Sequence, residues 1–171
     1  NGCTVWDTVT VSLSNHDVLL APDQETVCLN DRVRAVATGV GEPAGQTFQW
    51  FADVNSSLSD LSCSNCAEPE ITPTTVGVHV YSVVRTDSYG CTDTADITIT
   101  ILALPTVTIT NGDEIVVRYG DEVQLIAEGA IKYSWSPSWG MNNPNISSPV
   151  IKPSETNTYT VHGLDDNGCG N

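Results

Sequence analysis

Tyr81-Ser82-Val83-Val84-Arg85-Thr86-Asp87-Ser88-Tyr89-Gly90-Cys91 returns 78 positions later as Tyr159-Thr160-Val161-His162-Gly163-Leu164-Asp165-Asp166-Asn167-Gly168-Cys169. Each copy begins as a period-two strand and closes on Asp-x-x-Gly-Cys. Asp at such a closure accepts bonds from its own backbone, and Gly supplies a conformation other residues avoid. A second echo lies upstream of each copy. Asp31-Arg32-Val33-Arg34-Ala35-Val36-Ala37-Thr38-Gly39 returns as Asp121-Glu122-Val123-Gln124-Leu125-Ile126-Ala127-Glu128-Gly129. Asn1-Gly2-Cys3-Thr4 is a third copy of the Gly-Cys ending. The chain therefore reads as a stretch of a tandem array, out of phase with its own repeat. Arrays of small β domains space, display or adhere; they rarely catalyse.

Alternation with period two also marks 4–11, 32–38, 47–52, 78–85 and 94–101, then 106–110, 122–127, 131–135 and 156–161. These runs are rich in β-branched and aromatic residues and are bounded by Gly, Pro, Asn and Asp. No stretch has the pattern of an amphipathic helix. The expected fold is all-β, two tandem antiparallel sandwiches in an extended arrangement. The first domain spans 14–102 and the second 103–171, joined at Ala103-Leu104-Pro105, a short link stiffened by proline. Residues 1–13 match, by repeat phase, the last strand of a preceding domain.

The second domain stops where its own last strand should begin. In the first domain that strand runs from Thr92 to Leu102. A sandwich without it leaves an open sheet edge and an uncovered strip of core. Two explanations stand side by side. Thr4, Val5, Trp6, Val9 and Val11 can form a strand donated to the next copy by β-augmentation, or the boundaries are arbitrary cuts in a longer array. The expected partners are accordingly other copies of the chain or neighbouring repeats.

The net charge is −15, with six Lys and Arg in 171 residues. Nucleic-acid binding needs clustered basic residues, so that class is excluded, and attraction to anionic membrane surfaces is weakened. No apolar run approaches the length of a membrane span. Small domains bury only about 60% of their unfolded surface, so cross-links or neighbours are expected to support them. Six Cys fit an extracellular, oxidising setting. The acidic surface can collect divalent cations, yet no calcium-loop pattern occurs. Beyond calcium as a weak option, no cofactor is expected.

Cys28 precedes one strand and Cys91 opens another, positions that can share one end of a sandwich, so they are expected to pair. Cys63-Ser64-Asn65-Cys66 is a CxxC. Zinc would need two further ligands, and His16, His79 and His162 lie at no suitable spacing. A redox dithiol would need a βαβ setting. A local disulfide is the expectation. Cys3 and Cys169 share one repeat position and have no partner within their own copies, so they are expected to be unpaired or intermolecular. Trp50 and Trp135 occupy equivalent mid-strand positions and should be core. Trp139 lies in a turn-rich stretch, where a satellite core contact is expected and an exposed sugar platform is the alternative. Asp87, Asp165, Asp166, Asp93 and Asp96 cluster around turns as Asx acceptors. No catalytic triad, phosphate loop or metalloprotease motif appears, and no residue is assigned a catalytic or metal-binding role. Asn55-Ser56-Ser57 and Asn145-Ile146-Ser147 are sequons.

Two sets of residues carry a family resemblance. Leu61-Ser62-Cys63, Cys66, Pro69, Pro73, Tyr81-Ser82-Val83, Asp87 and Gly90-Cys91 form the first. Tyr133-Ser134-Trp135-Ser136-Pro137, Pro149, Pro153, Thr158-Tyr159-Thr160-Val161 and Asp165 to Cys169 form the second. Together they resemble the Ig-like and PKD-like repeats of large secreted proteins of Bacteroidota. The PKD Phe-Gly-Asp-Gly element is absent, which favours the Ig-like variant, and Arg118 stands where the first repeat has Cys28. The resemblance implies a cell-surface or extracellular, non-enzymatic protein exported by type IX secretion, including gliding-motility adhesins. It also implies O-glycans on Thr8 and Thr94, within Asp7-Thr8-Val9 and Asp93-Thr94-Ala95. A structural segment of an adhesin, stalk or filament is the reading that follows. A carbohydrate-binding module of a secreted enzyme, with surface glycans as partners, is the alternative.

Overall fold

The computed structural model describes residues 18–39 and 45–170. Its helical content, among those residues, is one 3-10 turn at Leu58–Asp60. The chain divides into two compact units, with the division between Ile101 and Leu102. The expected strand at 4–11 lies outside the described residues.

In the first unit the strands are β1 (Val18–Ala21), β2 (Gln24–Cys28), β3 (Val33–Arg34), β4 (Val36–Gly39), β5 (Thr47–Ala52), β6 (Glu70–Ile71), β7 (Gly77–Thr86) and β8 (Thr92–Leu102). One layer is a four-stranded sheet in the order β2-β8-β7-β5. The other is built from the antiparallel pairs β1-β4 and β3-β6. This is an Ig-like β-sandwich. Period-two alternation drives His79, Tyr81, Val83 and Arg85 of β7 inward, with Ile97, Ile99 and Ile101 of β8 beside them. The apolar members pack with Trp50, Ala35, Ala37 and Ile71 into one core.

The expected strand 32–38 is broken in two. Ala35 donates its N–H to the Pro69 carbonyl (3.1 Å). Proline has no N–H with which to return the bond, so the ladder stops there. The equivalent strand of the second unit breaks likewise, where Leu125 donates to the Pro149 carbonyl (2.9 Å).

The second unit contains β9 (Thr108–Ile109), β10 (Val123–Gln124), β11 (Ala127–Glu128), β12 (Lys132–Ser136), β13 (Val150–Ile151) and β14 (Thr160–Leu164). β12 pairs with β14, and the pairs β10-β13 and β9-β11 complete the unit. Leu125, Ala127, Trp135 and Ile151 form its smaller core. Both units fix their tryptophan in the same way. The Trp50 indole N–H donates to the Cys66 carbonyl (2.8 Å), and that of Trp135 to the Ile146 carbonyl (2.9 Å).

The repeated Asp-x-x-Gly-Cys closures share one bonding pattern. Asp87 Oδ1 accepts the N–H groups of Tyr89 (2.9 Å) and Cys91 (2.8 Å). Asp165 Oδ1 accepts those of Asn167 (2.9 Å) and Cys169 (2.8 Å). Gly90 and Gly168 have φ of 86° and 85°, a region costly for other residues.

The expectation for 156–161 needs correction. The strand begins only at Thr160, and 156–159 carry no ladder. Their counterpart 78–81 lies inside β7, where β8 supplies the partner. Among the described residues, no strand stands beside β14 in that position.

Candidate functional site: an open groove in the second unit

The two halves of the repeat differ at one place. In the first unit β8 lies between β2 and β7. By repeat phase, 114–118 of the second unit corresponds to β2, and 155–164 to β7. Neither 114–118 nor 155–159 is in a ladder. A groove of about 530 Å³ runs between them, with Ile109, Leu125, Trp135 and Ile151 as its floor and segments 112–119 and 153–159 as its walls. The floor residues belong to the core of this unit. The groove is therefore core surface that the first unit covers with Ile97, Ile99 and Ile101, which are 0%, 0% and 3% exposed. The contrast extends to the paired tyrosines. Tyr81, opposite Ile97 in the ladder, is fully buried, whereas its counterpart Tyr159 is half-buried. Val116 and Tyr119, on the other wall, are 88% and 90% exposed.

The pairing expected for Cys28 with Cys91 is not made. Cys91 is a free thiol, and Cys28 is disulfide-bonded elsewhere. The reason lies in chain direction. Val18 donates its N–H to Asp93 Oδ2 (2.7 Å), and Thr98 donates to the Asp23 carbonyl (2.9 Å). Residues 18–28 thus advance along β8 in the same direction, which puts Cys28 towards its Leu102 end. Cys91 lies before its Thr92 end. The expectation that Cys169 is unpaired or intermolecular is likewise corrected: it is disulfide-bonded within the chain.

Cys63 and Cys66 are joined by a disulfide. The loop it closes receives the Trp50 backbone and indole N–H groups on the Ser64 and Cys66 carbonyls. Trp139, expected to pack as a satellite of the core, is 69% exposed. Its carbonyl accepts the Tyr159 hydroxyl (3.1 Å), and a small hollow of about 40 Å³ beside it is lined by Lys152, Glu155 and Asn157. Tyr89 is also exposed. Thr94 lies on the exposed face of β8. Cys3, Thr4, Val5, Trp6, Thr8, Val9 and Val11 lie outside the described residues.

Two titratable groups of the first unit are shifted by their contacts. The Tyr81 hydroxyl donates to Asp60 Oδ2 (2.7 Å). Burial first, then this bond to a carboxylate, holds the phenol well above its ordinary range. Asp53 Oδ1 accepts the Ser56 hydroxyl (2.6 Å) and the Asn55 N–H (3.0 Å), and the Ser56 bond chiefly lowers its carboxyl below the usual value. His79 is buried with Nε2 against the Thr75 carbonyl (2.8 Å). Among the described residues no three His, Cys, Asp or Glu side chains group as metal ligands.

No family model and no curated protein matches the chain. Solved structures do. The insect immune protein hemolin is 16% identical at TM-score 0.46, covering 94% of this chain and 46% of its own. The fibronectin(III)-like modules of Clostridium thermocellum CbhA are 13% identical at TM-score 0.39, covering 90% and 88%. Bacteroides ovatus SGBP-B, solved with a mixed-linkage heptasaccharide, is 13% identical at TM-score 0.38, covering 92% and 46%.

Proposed function

We propose that the protein is a non-catalytic structural segment of an extracellular bacterial adhesin, stalk or filament, whose copies link head-to-tail by strand donation. The observation that carries this reading is the open groove. It exposes the floor of a core between two segments that have strand counterparts in the first unit. Such an edge is a template for pairing with another chain. The disulfides fit an oxidising, extracellular compartment. The net charge of −15 keeps unassembled copies soluble and apart from nucleic acid. Light scattering and negative-stain microscopy of the 171-residue chain test the reading. Concentration-dependent linear multimers are expected. Monomers at every concentration would remove head-to-tail linkage.

A second reading rests on Trp139. An exposed indole beside a polar hollow is a platform on which a sugar ring can stack. It makes the chain a carbohydrate-binding module of a secreted enzyme. A glycan array decides it: specific binding lost on Trp139→Ala supports this reading, and a blank array removes it.

A further inference from the structure

The first unit has two outer faces of unlike chemistry. On the layer that holds β3 and β6, Arg32 pairs with Glu70 (3.3 Å) and Arg34 with Glu68, so that face is charged and solvated. The other is the outer face of the sheet β2-β8-β7-β5. Period-two alternation turns Phe51 of β5, Val78, Val80 and Val84 of β7, and Thr94 and Thr98 of β8 away from the core. The other outward positions of these three strands hold Thr, Ser, Gln and Leu, with Asp96 the one charge among them. Val80 lies beside Thr98 and Val84 beside Thr94 in the ladder, so the surface is continuous. Phe51 and Val78 are 49% and 53% exposed on it.

The second unit supplies the contrast. The same face of β12 and β14 carries Lys132, Ser134, Thr160 and His162. The repeat offset takes Val84 to His162. The fold therefore does not demand an uncharged face, and the first unit has one through its sequence. We infer that a second copy of the chain packs on this face, side by side and sheet on sheet.

Charge selects that occupant. Copies with a net charge of −15 repel wherever carboxylates meet. This face lets two of them approach to sheet-packing distance, about 10 Å, against one carboxylate each. A charged partner would find almost nothing on it to pair with. A polysaccharide would stack on aromatic rings, and Phe51 is the single ring at the outward positions of β5, β7 and β8. Val and Thr are stiff at χ1, so packing them costs little side-chain freedom. β7 is ten residues long, about 33 Å, and neighbouring strands lie about 4.8 Å apart. The face thus offers roughly 500 Å² per partner, below the roughly 800 Å² of a stable complex. The contact is weak between two isolated copies and gains strength where many copies stand together. Being lateral, it neither requires nor excludes head-to-tail linkage.

Methyl NMR of the full chain across a concentration series tests the inference. The Val78, Val80 and Val84 signals should move with concentration, while those of Leu19, on the opposite sheet, stay fixed. Thr94→Glu places like charges on both copies and should weaken the association at least about tenfold. Leu19→Glu adds the same charge to the opposite sheet and should change it by less than about twofold at 0.15 M salt. Valine signals that stay fixed at every concentration would overturn the inference, even where linear multimers form. Equal weakening by both variants would overturn the choice of face. Valine shifts produced by added mixed-linkage glucan, but not by protein concentration, would overturn the second copy as occupant.

Discussion

Tyr81 shows how one side chain ties a loop to the core. Its ring is fully buried, and its hydroxyl ends on Asp60, whose carboxylate also accepts the Ser57 N–H (3.1 Å). Tyr81→Phe should destabilise the first unit by about 1.5–3 kcal/mol, the range for a hydrogen bond to a charged group. The pH dependence has a fixed sign. The folded phenol titrates above its unfolded value of about 10, so its stabilising contribution is intact below that pH and is lost as pH climbs towards the raised folded value. Denaturant melts from about pH 9 to about pH 12 should show this alkaline loss in the parent chain. The phenylalanine variant should show a shallower one, beyond the limb that other tyrosines share. Asp53 works in the opposite direction. Its carboxyl is lowered, so its contribution is intact above about pH 3.9 and is lost as pH falls towards the lower folded value. The Asn55 amide resonance should move in that acid window.

At the level of elements, the two units hold equivalent loops by different chemistry. The first closes its Trp50-binding loop with the Cys63–Cys66 disulfide. The second uses asparagines. Asn142 Oδ1 accepts the N–H groups of Asn143 (2.7 Å) and Val150 (2.9 Å), and Asn143 Oδ1 accepts that of Asn145 (2.9 Å). Replacing both Cys63 and Cys66 by Ser should cost about 2 kcal/mol, the loop-closure entropy of so short a ring. Thermal melts with and without reductant should reproduce that loss, and the variant should be less sensitive to reductant than the parent. The long alternating strands and the aspartate turns were legible in the sequence because period and turn chemistry are local. β1, β2, β6 and β13 were not legible. Gln24-Glu25-Thr26-Val27-Cys28 has no inward face, for instance, and becomes a strand only because β8 offers an edge. The same non-local fact defeated the Cys28–Cys91 pairing, since chain direction beside β8 cannot be read from spacing.

For the whole molecule, the difference between two copies of one repeat is the informative quantity. Phase pointed to 155–159, whose counterpart 77–81 pairs with β8 and which carry no ladder themselves. The groove's walls needed coordinates, since 112–119 has no clear strand pattern and exposes Val116 and Tyr119. Copies that each carry a net charge of −15 repel one another. Assembly should therefore strengthen as ionic strength rises from about 0.01 M to about 0.15 M, where the Debye length shortens from about 30 Å to about 8 Å. Light scattering across that range would detect it, and weakening with salt would place charge attraction rather than apolar insertion at the joint. The most direct test of the central claim is amide hydrogen exchange of residues 155–164, compared at low and high protein concentration. Strand insertion predicts that 155–159 become protected with concentration, approaching the protection of 77–81 in β7. Unchanged, fast exchange at 155–159 across all concentrations would contradict it.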